Sequence, residues 1–110
     1  MKTSSLAAVL VAAVASCGAG GRQQNALDAL RSGYAAFPET IDGACALAAA
    51  RCTRCHTIDR VLLARVESRE HWRYYVDRMR RQPQSGISLD EGETITRCLI
   101  YRSFDAEHTP

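Results

Sequence analysis

The chain carries almost no lysine, no marked excess of either charge, and no apolar run long enough to span a bilayer. Lys2 is the only lysine, and every other member of the 14 basic residues is arginine. The formal net charge of +2 removes the bulk electrostatic argument for a nucleic-acid partner. No internal repeat is visible, nothing resembles a glycine-rich phosphate cradle, and no strand-like alternation competes with the helical spacings. A nucleophile with its base, a carboxylate pair and a second metal site are all missing, so the reading is that the protein is not an enzyme.

What is present begins with an export signal. Lys2 supplies a positive start, and Leu6 to Ala15 form an uncharged, mainly aliphatic stretch. That stretch falls short of the roughly 20 residues a spanning helix needs, yet suits the core of a signal peptide. The boundary Val14-Ala15-Ser16-Cys17 resembles a bacterial lipobox. Residues 1–16 are then read as signal peptide and Cys17 as the lipidated residue. Gly18, rather than an aspartate, after that cysteine resembles the pattern for release to the outer membrane. A multiply acylated Cys17 would exceed the two-signal threshold for stable anchoring. The expected location is the periplasm, anchored to the outer membrane through Cys17.

Export also sorts the remainder of the 5 cysteines. Cys52 and Cys55 stand in Cys52-Thr53-Arg54-Cys55-His56, which leaves Cys45 and Cys98. In an oxidising compartment two leftover thiols point to a disulfide.

Residues 17–37 are rich in Gly, Ala and Gln and read as a flexible lipid-anchored tether, with a short helix over 24–31 as its only structure. A flexible segment of that length spans about 25 Å. The domain is expected over 38–104, with 105–110 as a frayed tail. It reads as all-α, with about four helices. Thr40 or Asp42 is placed to cap a first helix whose body is 44–51 and which runs into the cysteine pair. Residues 61–66 read as a short helix or turn. Ser68 opens the next helix, where Trp72, Tyr75, Val76 and Met79 fall at i, i+3, i+4 and i+7 on one stripe. Gln82-Pro83 ends it. Ser88 and Glu91 match a capping box for the last helix, with Ile95, Cys98 and Leu99 as its buried stripe.

Cys-x-x-Cys-His is an attachment signature for haem c. Each thiol can add to one vinyl group, and the imidazole of His56 then becomes the proximal iron ligand through Nε2, with Nδ1 donating to a carbonyl. A thioredoxin-like pair would need a βαβ context. A zinc site would need Cys45 and Cys98 to forgo their bond. A domain of this size has a thin core and needs a staple, which covalent haem and a disulfide would provide. For the sixth iron position the residues leave Met79, His71 or an open site. Methionine ligation would raise the reduction potential and close the iron to substrate.

The runs Cys52-x-x-Cys55-His56-x-x-x-Arg60, Trp72-x-x-x-Val76-x-Arg78-Met79 and Ile87-Ser88-x-Asp90-Glu91 resemble a subgroup of class-I-type cytochromes c. They are also similar to the haem domains of quinohaemoprotein amine dehydrogenases. The likeness covers about 43–104. It implies a small class-I-like cytochrome c fold around one covalent haem, first and last helices that cross near Cys45 and Cys98, and Met79 at the distal position. It departs from the usual pattern at Cys98-Leu99-Ile100-Tyr101 and lacks the usual Gly-Pro-x-Leu after His56, leaving the carbonyl partner of His56 open. The implied function is one-electron transfer between redox protein partners. The alternatives are a five-coordinate or bis-histidine sensor, or a haem subunit of a larger dehydrogenase complex. Arg60 is a candidate for pairing with a haem propionate, and Arg69, Arg73, Arg80 and Arg81 read as a solvated helix face.

The lipidation reading makes a direct prediction. Cys17→Ser should move the protein from the membrane fraction to the soluble periplasmic fraction; unaltered fractionation would refute the anchor.

Overall fold

The computed structural model describes residues 19–110, so the expected signal segment and the expected lipidation at Cys17 lie outside the described residues. It is all-α. Among the described residues five α-helices follow one another, α1 (Ala19–Arg31), α2 (Glu39–Cys52), α3 (Asp59–Leu62), α4 (Arg69–Arg80) and α5 (Leu89–Ile100). A single π turn, Tyr101–Asp105, continues α5. Among the described residues the only β-type pairing is an isolated bridge between Tyr34 and His108.

Helix α2 organises the packing. Its buried positions are Ala44, Cys45, Ala48, Ala49 and Cys52, a face with nothing larger than a thiol. Small side chains let neighbouring helices approach closely, and α1 and α5 pack on α2 from its two sides, with α4 on the far side of α5. The Cys45–Cys98 disulfide joins α2 to α5 with Cα atoms 5.0 Å apart, and both cysteines are fully buried. Arg51 Nε donates to Glu91 at 2.5 Å across the same pair of helices, holding Glu91 below the ordinary carboxylate range. Neither Thr40 nor Asp42 caps α2. Pro38 occupies the N-cap and its carbonyl accepts from Asp42 N–H at 2.8 Å, while Glu39 and Asp42 lie in the first turn, where carboxylates suit the helix dipole.

The other helix starts follow the local chemistry of their sequences. Ser68 Oγ accepts from His71 N–H, and Trp72 and Val76 are the buried core of the α4 stripe, with Tyr75 and Met79 half-buried beside them. At α5 both arms of the Ser88–Glu91 capping box are made. Ile95, Cys98 and Leu99 are buried to within one per cent. Gly92 is buried where α5 meets α4. A Cβ there would stand 3.4 Å from the Arg80 side chain and 3.9 Å from that of Val76, so the two helices lie in contact at this position.

Both segments read as loose are built into the fold. The short helix expected over 24–31 is present but starts at Ala19, and it is packed rather than part of a flexible tether, with Ala26, Leu27 and Leu30 in the core and Arg31 bonded to Asp42 of α2 at 2.5 Å. The missed signal is the apolar set Ala26, Leu27 and Leu30 at i, i+1 and i+4, followed by Gly33. That glycine takes φ +86° just past the helix end, a conformation costly for other residues. The last residues are likewise paired. Ala35 N–H donates to the Glu107 carbonyl at 2.8 Å, Thr109 N–H donates to the Gly33 carbonyl at 3.1 Å, and the His108 ring stacks on Tyr34. The domain therefore includes residues on both sides of the expected 38–104.

Leu30→Ala removes a fully buried side chain from the α1–α2 contact. The expected cost is about 2–5 kcal/mol of unfolding free energy, measured by denaturant titration. A tether would show no measurable change.

Candidate functional site

The Cys52–His56 segment begins where α2 stops. Cys52 is the last residue of the helix and belongs to the core cluster at 5% exposure. Thr53 turns its hydroxyl back to donate to the Ala49 carbonyl at 2.7 Å, closing the helix end and leaving the chain free to turn outward. Arg54 and Cys55 then stand exposed, and His56 is half-buried. Burial pushes the Cys52 thiol up to about 11, so without a partner it stays protonated at neutral pH.

His56 Nδ1 lies 2.9 Å from the Thr57 carbonyl. A carbonyl only accepts, so Nδ1 carries the proton and Nε2 keeps its lone pair. Thr57 thus supplies the carbonyl partner that the missing Gly-Pro-x-Leu had left open.

Cys55 and His56 stand at the meeting of two clefts. One, of about 690 Å³, runs between this segment and the face of α4. Val61, Ala64, Trp72, Tyr75 and Met79 give it an apolar wall, with Arg60 and Arg78 also on its lining. The volume lies in the range of small-molecule and cofactor sites. Trp72 is held in place by its Nε1–H donating to Ser103 Oγ at 2.8 Å, which anchors the wall to the π turn. The other cleft, about 830 Å³, lies against α1 and is lined by Gly21, Arg22, Asn25 and Ala26 together with Arg54. This contribution of α1 to the surroundings of His56 had no signal in the motif.

Cys55, His56 and Met79 therefore share one cleft, while Cys52 sits behind it in the core. His71 does not line that cleft; its ring stacks on Tyr75, with centroids 4.6 Å apart. Cys45 and Cys98 hold each other and are unavailable to a metal. Among the described residues no group of three or more His, Cys, Asp or Glu side chains is arranged to hold a metal ion. The donor set fits a haem group: a thiol at the cleft, an imidazole with a free Nε2, a thioether on the opposite element and apolar walls. Cys52 is one helical step from Cys55 at the base of the same turn.

An all-α domain with Cys-x-x-Cys-His at the mouth of an apolar cleft is that of a c-type cytochrome. The family profile described as cytochrome c-551, photosystem P840 reaction-centre cytochrome c-551, matches residues 24–103, and the chain belongs to that family. No curated protein and no solved structure matches the chain. Membership brings covalently bound haem c, electron transfer as the general role and redox proteins as partners. The match begins within α1, in keeping with a domain that extends upstream of residue 38.

The two thiols should differ sharply in the haem-free chain. Maleimide at neutral pH is expected to label Cys55 within the time that leaves Cys52 unmodified, and to reach Cys52 only after denaturation. Equal labelling of the native chain, read by peptide mass, would contradict the burial of Cys52.

Proposed function

We propose that this protein is a periplasmic one-electron carrier in which Cys52 and Cys55 would bond haem c and His56 and Met79 would supply its iron ligands. The observation that carries the reading is that Met79, the only methionine after Met1, lines the same cleft as Cys55 and His56. Haem c bound there supplies an Fe(III)/Fe(II) couple. The Thr57 carbonyl fixes the His56 tautomer, so that Nε2 is the ligating atom and the ring is held in one orientation. The Met79 thioether offers a soft neutral donor that favours the reduced state. Trp72, Tyr75 and Val61 give the cleft an apolar wall, which would lower the dielectric around a bound haem and limit rearrangement between oxidation states.

The sensor alternative, with His71 as ligand or an open iron, draws less support. His71 stands outside the cleft in the first turn of α4, against Tyr75. Export and anchoring rest on Lys2, the 6–15 stretch and Cys17, and belong to the same proposal: a domain held at the outer membrane and facing the periplasm.

Optical and magnetic-circular-dichroism spectra of the matured protein and its Met79→Ala variant test the ligand set. The expected outcome is a methionine-to-iron charge-transfer band in the wild type, its loss in the variant and a lower reduction potential. An unchanged spectrum would remove Met79 from the iron.

A further inference from the structure

The two thiols of Cys-x-x-Cys-His stand in unlike surroundings at the end of α2. Cys52 is the last residue of the helix, is 5% exposed and belongs to the core cluster with Cys45, Ala48 and Ala49. Cys55 is exposed and lines both clefts, whereas Cys52 lines neither. Two contacts hold the end of the helix shut. Thr53, itself buried, donates its hydroxyl to the Ala49 carbonyl at 2.7 Å, across the turn that contains Cys52. Arg51, the residue before Cys52, is tied to Glu91 of α5 at 2.5 Å, and Glu91 is fixed in turn by its capping box with Ser88.

A thiol so placed meets a reactant in the cleft only when the last turn of its helix opens, and helix ends open locally at far lower cost than the whole domain. We propose that the last turn of α2 is a gate on haem attachment, latched by Thr53, so that Cys55 bonds haem first and Cys52 second. In each step a thiol S–H adds across one vinyl C=C. The sulfur bonds one vinyl carbon, the thiol proton ends on the other, nothing leaves, and there is no net oxidation or reduction. Cys55 makes its addition from the surface of the folded chain. Cys52 follows when the turn frays and the Thr53–Ala49 bond breaks. The Cys45–Cys98 disulfide, upstream on the same buried face, and the Arg51–Glu91 pair confine the opening to that turn. Attachment at Cys55 holds the second vinyl beside the gate, which makes the second addition intramolecular.

The inference rests on the haem c reading of the site, and the test separates the two. The full haem-free chain is first pulsed with N-ethylmaleimide and digested for peptide mass, which reads each thiol without haem. Thr53→Val keeps the branched shape and removes the donor; it is expected to raise the native-state rate at Cys52 about fivefold and leave Cys55 unchanged. Thr53→Ser restores the donor and should return the Cys52 rate to that of the wild type. Leu30→Ala loosens α1 at the opposite end of α2, where Arg31 meets Asp42, and should leave the Cys52 rate near that of the wild type. Equal rises in Thr53→Val and Leu30→Ala would mean that Cys52 is reached by unfolding of the whole chain, and would overturn the gate. Ferrous haem is then added without oxygen, and quenched samples are alkylated and digested. Singly bonded chains should carry haem at Cys55 with Cys52 still alkylated, and Thr53→Val should shorten their lifetime by about the same factor of five. Singly bonded chains at Cys52, an equal mixture of the two, or both bonds forming together would overturn the order. Gated labelling of Cys52 in a chain to which neither thiol bonds haem would overturn the haem c reading, and the attachment order with it.

Discussion

The narrow face of α2 is the constraint on which the rest of this structure depends. Ala44, Cys45, Ala48, Ala49 and Cys52 are all buried, and none is large, so α1 and α5 close onto α2 with little between the backbones. Close approach makes a disulfide possible at Cys45–Cys98, and it brings Arg51 within reach of Glu91. A bond across two packed helices acts mainly on the unfolded chain, by removing conformations it would otherwise explore. The same helix ends at Cys52, so the element that anchors the core also sets the starting point and direction of Cys-x-x-Cys-His. The site is thereby mounted on the helix that carries the disulfide and the small-residue core face.

Around that anchor the chain separates apolar from charged functions. The α4 stripe turns Trp72 and Val76 into the core and leaves Tyr75 and Met79 on the wall of the cleft, so one helix serves packing and pocket at once. The ion pairs sit away from the cleft, between α1 and α2, between α2 and α5, along α4, and between α4 and the π turn. Exposed pairs of this kind contribute little each. Six of the arginines, Arg31, Arg51, Arg69, Arg73, Arg80 and Arg81, are taken up in these pairs.

Much of the domain was legible from local pattern. The Ser88–Glu91 box, the Ser68 cap and the stripes of α4 and α5 are read within a few residues, because capping and amphipathic spacing are short-range properties. The buried half of the α4 stripe and all three residues named for α5 lie in the core. Helix α1 was legible only in part: its 24–31 portion was expected, but not its start at Ala19 or its place in the core. Its apolar face is short and flanked by Gly20, Gly21, Gln23 and Gln24, a composition that reads as linker, and its stability comes from the alanine face of α2 rather than from its own sequence. The start of α2 misled for a related reason: Thr40 and Asp42 are good capping residues, yet Pro38 fixes the backbone two and four positions earlier.

By itself the sequence determined the chemistry: a thiol pair followed by an imidazole at fixed spacing, a lone methionine downstream, two further cysteines and an all-helical pattern. These are matters of residue type and short spacing, and the chain carries them whatever its tertiary arrangement. Only the folded structure decided that Met79 shares a cleft with His56 while His71 stands outside it, that Thr57 holds the imidazole, that α1 packs on α2, and that the last residues pair with residues 33–35. Each of these joins positions distant in sequence or set by side-chain direction. They depend on how helices cross, and the crossing is fixed by side-chain volumes at contacts no local pattern encodes.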